Sequence, residues 1–193
     1  MSDIIDIPEE EVIDLTPTDR TGWGPGPWDG EPDRIEWEHA GRPCLMVRGP
    51  SGAWCGYAAV DPGHPFHGIS YSSYDIDAEN MTVEESDRRS PESEIDVHGG
   101  LTYSGACSHS VCHVPKDGQP ADVWWFGFDT AHAWDLAPGM QARLRELYRD
   151  RPELGGAFTN SRDEVYRDVA YVQAQVNHLA EQLVALEPKQ LSA

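Results

Sequence analysis

The sequence predicts an α+β domain, a mainly antiparallel sheet of about five strands packed by a long C-terminal helix. Three observations carry this expectation. Between Ile35 and Val60, short apolar or alternating runs are separated by Ala40-Gly41-Arg42 and Gly49-Pro50-Ser51-Gly52, the pattern of an antiparallel meander. Val123 to Phe128 is the most apolar run of the chain and reads as a central strand buried on both faces. Towards the C-terminus, Val165, Val169, Val172, Val176, Leu179, Leu183 and Leu186 recur at spacings of four and three, the apolar stripe of a helix.

The elements follow in order. Ile35, Trp37 and His39 alternate with Glu36 and Glu38, which suits a half-buried first strand; Cys44 to Arg48 is the second and Ala53 to Val60 the third. Asp61 to Gly68 closes the meander with a Pro- and Gly-rich loop. Its histidines, His64 and His67, are solvated or meet a ligand. Asp75 to Asp96 holds nine acidic residues against Arg88 and Arg89, a surface excursion with a helical turn around Thr82 to Arg89. Ile95 to His98 is a short strand ending in Gly99-Gly100. Met140, Leu144, Leu147 and Tyr148 share one face of a helix that stops near Pro152. Ser161-Arg162-Asp163-Glu164 has the capping-box form that opens the last helix, which ends before Pro188.

At 193 residues the chain suits one domain, residues 34–188, between an N-terminal extension of residues 1–33 and a tail of residues 189–193. The extension carries ten acidic residues against Arg20 alone, with Pro8, Pro17, Pro25, Pro27 and Pro32, so it is expected to lack a packed core. Trp23 and Trp28 are expected to fold back onto the domain. A formal net charge of -20 repels phosphate backbones and anionic membranes, which argues against direct nucleic-acid binding and fits a soluble surface or a basic partner. No apolar run approaches the ~20 residues of a membrane span, and the N-terminus lacks the basic and apolar regions of a leader, so a cytoplasmic location is expected. Four cysteines are then buried thiols or metal ligands rather than a disulfide framework.

The chemistry concentrates at two strand ends. On an extended strand, Asp96 and His98 point to one face, and carboxylate oxygen and imidazole nitrogen there can reach one ion together. After the second strand, Asp129 can cap a short helix that puts His132 and Asp135 one turn along on the same side. Asp96, His98, Asp129 and His132 are therefore candidate ligands of zinc or another divalent metal. Asp135 would orient a histidine or act as general base, and His98 would share in catalysis of phosphoester or amide hydrolysis. The plain alternatives are a capping aspartate, an indole-packing histidine and a turn after a strand. Cys107, His109, Cys112 and His113 form a second group, suited to a structural metal but without paired C-x2-C spacing. Cys107 or Cys112 activated by His98 or His132 is a further candidate nucleophile. Non-catalytic readings stand beside these: an acidic inhibitor of a basic host protein, or a pocket for a small, nucleotide-like ligand between Trp124, Trp134 and the glycines. The C-terminal stripe also suits a homodimer contact.

The runs DVHGGLTYSG, WWFGFDTAHAWDLAPG and YRDVAYVQAQVNHLAEQL resemble a family of uncharacterised bacteriophage and bacterial proteins, over roughly Trp37 to Leu186. The resemblance, carried most by HGGLTYSG and WWFGFDTAH, implies a phage or prophage origin, an accessory role towards a host, and the host cytoplasm as its location. It assigns no site residue.

Overall fold

The computed structural model describes residues 17–72, 90–115, 119–151 and 163–187. Within them a five-stranded sheet is formed by β1 (Arg34–His39), β2 (Arg42–Arg48), β3 (Trp54–Val60), β4 (Tyr103–Ala106) and β5 (Trp124–Asp129). The spatial order is β1-β2-β3-β5-β4 and each adjacent pair is antiparallel. The meander is the one the sequence predicts: the first turn is Ala40-Gly41, both in the left-handed region at φ 51° and 75°, which matches the twist of a two-residue hairpin. Among the described residues, a 3-10 turn at Pro27–Gly30 and three α-helices, α1 (Pro91–Glu94), α2 (Pro138–Leu147) and α3 (Val169–Ala185), complete the fold.

The two faces of the sheet have separate cores. On one face α3 lays Val172, Val176, Leu179 and Leu183 against Met46, Ala58, Phe126 and Phe128, all fully buried or nearly so. Each such side chain contributes about 1.5–3 kcal/mol relative to exposure, so this helix anchors the sheet. The apolar stripe that also suited a homodimer is thus covered within one chain. The opposite face carries Leu45, Tyr57, Ala59, Val111, Val123 and Trp125. β5 contributes to both, as its unbroken apolar run requires.

Three expectations are corrected. Residues 17–33, read as part of an unstructured extension, pack on the domain, with Trp23 and Trp28 buried as expected of them. Their anchor is Arg48, whose guanidinium is fully buried over the Trp54 ring at 4.1 Å and pairs with Glu31 at 2.6 Å and Asp33 at 3.0 Å. Ile95 to His98 is not a strand: α3 side chains hold this stretch, Gln182 bonding both the N–H and C=O of Asp96 and Gln175 accepting from the His98 N–H. β4 begins later, at Tyr103. The last helix starts at an Asp168 cap, whose carboxylate accepts from Tyr171 N–H at 2.9 Å, not at Ser161 to Glu164. Val165 instead forms a parallel bridge with Asp135. Residues 1–16, the expected turn around Thr82 to Arg89, the Ser161 and Arg162 half of the capping box and residues 188–193 lie outside the described residues.

Candidate metal centre

β5 ends at Asp129, and the chain then turns instead of forming the expected short helix. Asp129 Oδ1 accepts from Ala131 N–H at 3.0 Å, and its Oδ2 accepts from the Thr102 hydroxyl at 2.9 Å. Asp135 N–H donates back to the His132 carbonyl at 2.9 Å, closing a turn that sets His132 and Asp135 side by side. The parallel bridge to Val165 pins the turn, with Val165 N–H on the Trp134 carbonyl and Leu136 N–H on the Val165 carbonyl. From the other side comes His98, fixed through its backbone by Gln175.

Three side chains converge. His98 Nε2 lies 2.7 Å from Asp135 Oδ2, and His132 Nδ1 lies 3.2 Å from the same oxygen, which also accepts from His132 N–H at 3.2 Å. Arg167 Nε donates to Asp135 Oδ1 at 2.8 Å, and Tyr171 OH meets His98 Nδ1 at 2.9 Å. The Asp135 side chain is completely buried. Burial alone would raise its carboxyl, yet the bonds from Arg167 and His98, with the backbone of His132, hold it below the ordinary carboxylate range. Trp134 stacks on His132 with ring centroids 5.0 Å apart and planes 6° apart, and remains 52% exposed, so it forms the solvent rim. Gly99 makes the convergence sterically possible. It sits at φ +70°, and a Cβ there would fall 2.0 Å from His132 Cε1.

One ligand atom each from His98, His132 and Asp135 lies within 4.8 Å of the others, and this trio can hold a metal ion. Among the described residues it is the group with that property. Asp96 and Asp129, expected as ligands, are not in it. The Asp96 side chain is exposed while His98 is buried, because the stretch departs from regular strand geometry, and both oxygens of Asp129 are taken by its own turn and Thr102. Asp135, expected as an orienting residue or base, is hydrogen-bonded to both histidines and is itself one of the trio.

The second expected group takes another form. Cys107 and Cys112 are joined in a disulfide, which withdraws both thiols from the expected metal set and from a Cys-His nucleophile. His109 sits at an exposed hairpin tip with φ 49°, and His113 is buried against Trp125, where burial pushes its imidazole below the ordinary range. His64 is structural, its Nε2 on the Leu183 carbonyl at the end of α3. Trp124 is half-buried, with its indole N–H on the Ile69 carbonyl, and does not join Trp134 in a pocket. A cleft of about 920 Å³ does exist, but around Thr18, Trp23, Val47, Tyr57, Gly139 and Arg143, away from the histidines.

Arg167 and Tyr171 were missed by sequence reasoning. Both fall in YRDVAYVQAQVNHLAEQL, where Tyr171 neighbours the Val172 stripe position and Arg167 precedes the Asp168 cap. The signal available was a cap residue flanked by polar groups that the buried stripe does not need. No protein family, curated protein or solved structure matches this chain. No helix among the described residues is long and apolar enough to cross a membrane.

Proposed function

We propose that the protein is a hydrolase dependent on one divalent ion, with zinc the first candidate, held by His98 Nε2, His132 Nδ1 and Asp135 Oδ2. The observation that carries this reading is the convergence of two imidazoles and one buried carboxylate, with the outer nitrogen of His98 engaged by Tyr171 and the outer oxygen of Asp135 by Arg167. Zinc sits about 2.0–2.2 Å from such ligands, so tetrahedral donors are about 3.4 Å apart. The observed 3.2 Å nearly fits, and the 2.7 Å pair has to open by about 0.7 Å. A bound ion supplies Lewis acidity and a water that ionises near neutral pH.

The chain's own groups do the rest. Without an ion, His98 donates from Nε2 to Asp135 and accepts from Tyr171 at Nδ1. With an ion, the tautomer reverses and Nδ1 donates to the Tyr171 oxygen, so Tyr171 fixes the ring in either state. Arg167 neutralises the outer carboxylate oxygen and keeps Asp135 ionised. His132, whose side chain is 20% exposed, and Trp134 put one edge of the site at the surface, where a free coordination position would lie. Phosphoester and amide substrates both suit this chemistry. A phage-type accessory role in the host cytoplasm is the setting that the HGGLTYSG and WWFGFDTAH runs suggest.

The test is calorimetric titration of metal-free protein with zinc, followed by hydrolysis assays on phosphoester and amide probes. About one equivalent is expected to bind, with loss on His98→Ala and His132→Ala and with hydrolysis that follows occupancy. Absence of binding to the parent protein would overturn the reading.

A second reading, sequestration of a small ligand, has the 920 Å³ cleft in its favour. Its walls mix Trp23 and Tyr57 with Thr18 and Arg143, suiting a compact ligand with apolar and polar parts. Thermal-shift screening with Tyr57→Ala as control distinguishes it, because that change leaves the histidine site untouched.

A further inference from the structure

Beyond the histidine site, the hairpin after β4 joins soft-metal ligands to a disulfide. Ser108 and Val111 exchange both backbone hydrogen bonds, at 3.0 and 2.9 Å, and so close a two-residue turn with His109 in the left-handed region. Cys107 and Cys112 are the next pair outward, with Cα atoms 4.5 Å apart, the spacing of a cross-strand pair that shares no backbone hydrogen bond. Side chains are closest at such positions, so two sulfurs there meet as a disulfide or as neighbouring thiols.

His113 stands beside this pair. It is more than nine-tenths buried, and its Nε2 has no hydrogen-bond partner. Its Nδ1 faces Cys107 Sγ at 4.0 Å, the outer limit of a weak contact. A buried imidazole with neither nitrogen strongly bonded is costly, and the indole N–H of Trp125, whose ring packs against it, is likewise buried without a partner. An ion between Nδ1 and the two sulfurs would give that nitrogen a strong partner.

We propose that the Cys107–Cys112 hairpin is a redox-gated site for a thiophilic divalent ion such as zinc, closed as the disulfide and opened by reduction, with Cys107, Cys112 and His113 Nδ1 as ligands. A dithiol reductant delivers two electrons and two protons. The S–S bond breaks, both cysteines become thiols and the reductant closes its own disulfide. Zinc then displaces the two thiol protons to solvent. In a tetrahedral site with Zn–S of about 2.3 Å the sulfurs stand about 3.8 Å apart, a separation that side-chain rotation of a cross-strand pair can provide. The fourth position goes to water, since His109 lies at the exposed tip.

Cobalt(II) is the probe, because a thiolate ligand gives a sulfur-to-cobalt charge-transfer band that the His98, His132 and Asp135 site cannot produce. Full-length protein is titrated with cobalt in oxidised form and after dithiol reduction and removal of the reductant. The band is expected with about one equivalent in the reduced protein alone, to weaken at least about 100-fold in affinity in Cys112→Ser, and to fall in His113→Gln. It is expected to persist in His109→Ala, in Cys55→Ala and in His98→Ala. A reduced protein without the band, or a band that survives Cys112→Ser or needs Cys55, would overturn the proposal. Failure of the histidine site shows separately, as loss of the cobalt equivalent that carries no sulfur band.

Discussion

Replacing Asp135 with Asn keeps the shape of the side chain and removes the charge on which the candidate centre converges. The carboxylate is completely buried and accepts from Arg167, His98 and His132. Removing one partner from a buried ionic group costs about 3–5 kcal/mol. Here the cost is reduced, because the Arg167 and His132 side chains retain 22% and 20% exposure and can be partly rehydrated. Asn also keeps one acceptor oxygen but turns an NH2 towards groups that donate. The expected destabilisation is therefore about 2–4 kcal/mol at neutral pH. Its sign with pH follows from the lowered folded-state carboxyl. The stabilisation is complete above the unfolded carboxyl value, about 3.9, and is lost as pH falls through the folded value. Urea unfolding of both proteins at pH 7 and at about pH 2–3 measures it, and the gap should narrow in acid. A gap below about 0.5 kcal/mol at pH 7, or one that does not narrow, would refute the argument. With zinc at a hundredfold excess over its Kd the parent protein should gain about 2.7 kcal/mol, and Asp135→Asn much less.

Two further changes test the surroundings of the site. Tyr171→Phe removes the hydroxyl on His98 Nδ1 and is expected to lower zinc affinity about 10–100-fold while costing about 1 kcal/mol of stability, measured by titration calorimetry and urea unfolding. Gly99→Ala forces a methyl to within 2.0 Å of His132 Cε1 at a φ of +70°, and is expected to displace the imidazole, cost at least about 2 kcal/mol and abolish zinc binding.

The sheet was legible because its signals are local. The runs at Ile35 to Val60 and Val123 to Phe128, with their turns, specify strands without knowledge of the rest of the chain. His98, His132 and Asp135 were legible as a vocabulary of ligands at element ends, but their partnership was not. Which carboxylate joins two histidines depends on a turn that faces Asp135 inwards while Asp129 caps its own loop, and on Gln175 and Gln182 replacing a strand partner for residues 95–98. Those are contacts between residues more than 70 positions apart. Composition misled at residues 17–33, because an acidic Pro/Gly-rich segment reads as unpacked unless the buried cation it serves, Arg48, is known. The disulfide went unread because the expected reducing compartment was allowed to decide the state of Cys107 and Cys112.

The Arg48 network and the candidate centre share one short segment, and that sharing has a testable consequence. Tyr166 donates its hydroxyl to Glu31 and accepts from Arg48 at 2.7 Å; Arg167 bonds Asp135; Asp168 caps α3; Tyr171 meets His98. Glu31 Oε1 also accepts from Val169 N–H at 3.1 Å, so residues 17–33 hold the first turn of the helix that carries Tyr171. Burial opposes ionisation of Glu31, but the Tyr166 and Arg48 bonds keep its carboxyl below the ordinary value, so its contribution is present at neutral pH and lost as acid reaches the folded value. Glu31→Gln leaves Arg48 one carboxylate partner among the described residues, Asp33, and is expected to cost about 1–3 kcal/mol. If the segment is a mechanical link, the same change also weakens zinc binding at the histidines several-fold, although Glu31 is no ligand and contacts none. Zinc affinity equal to that of the parent, in a variant shown by urea unfolding to be destabilised, would mean that the two networks are energetically independent and that Asp168 and the Val165 bridge suffice to place Arg167 and Tyr171.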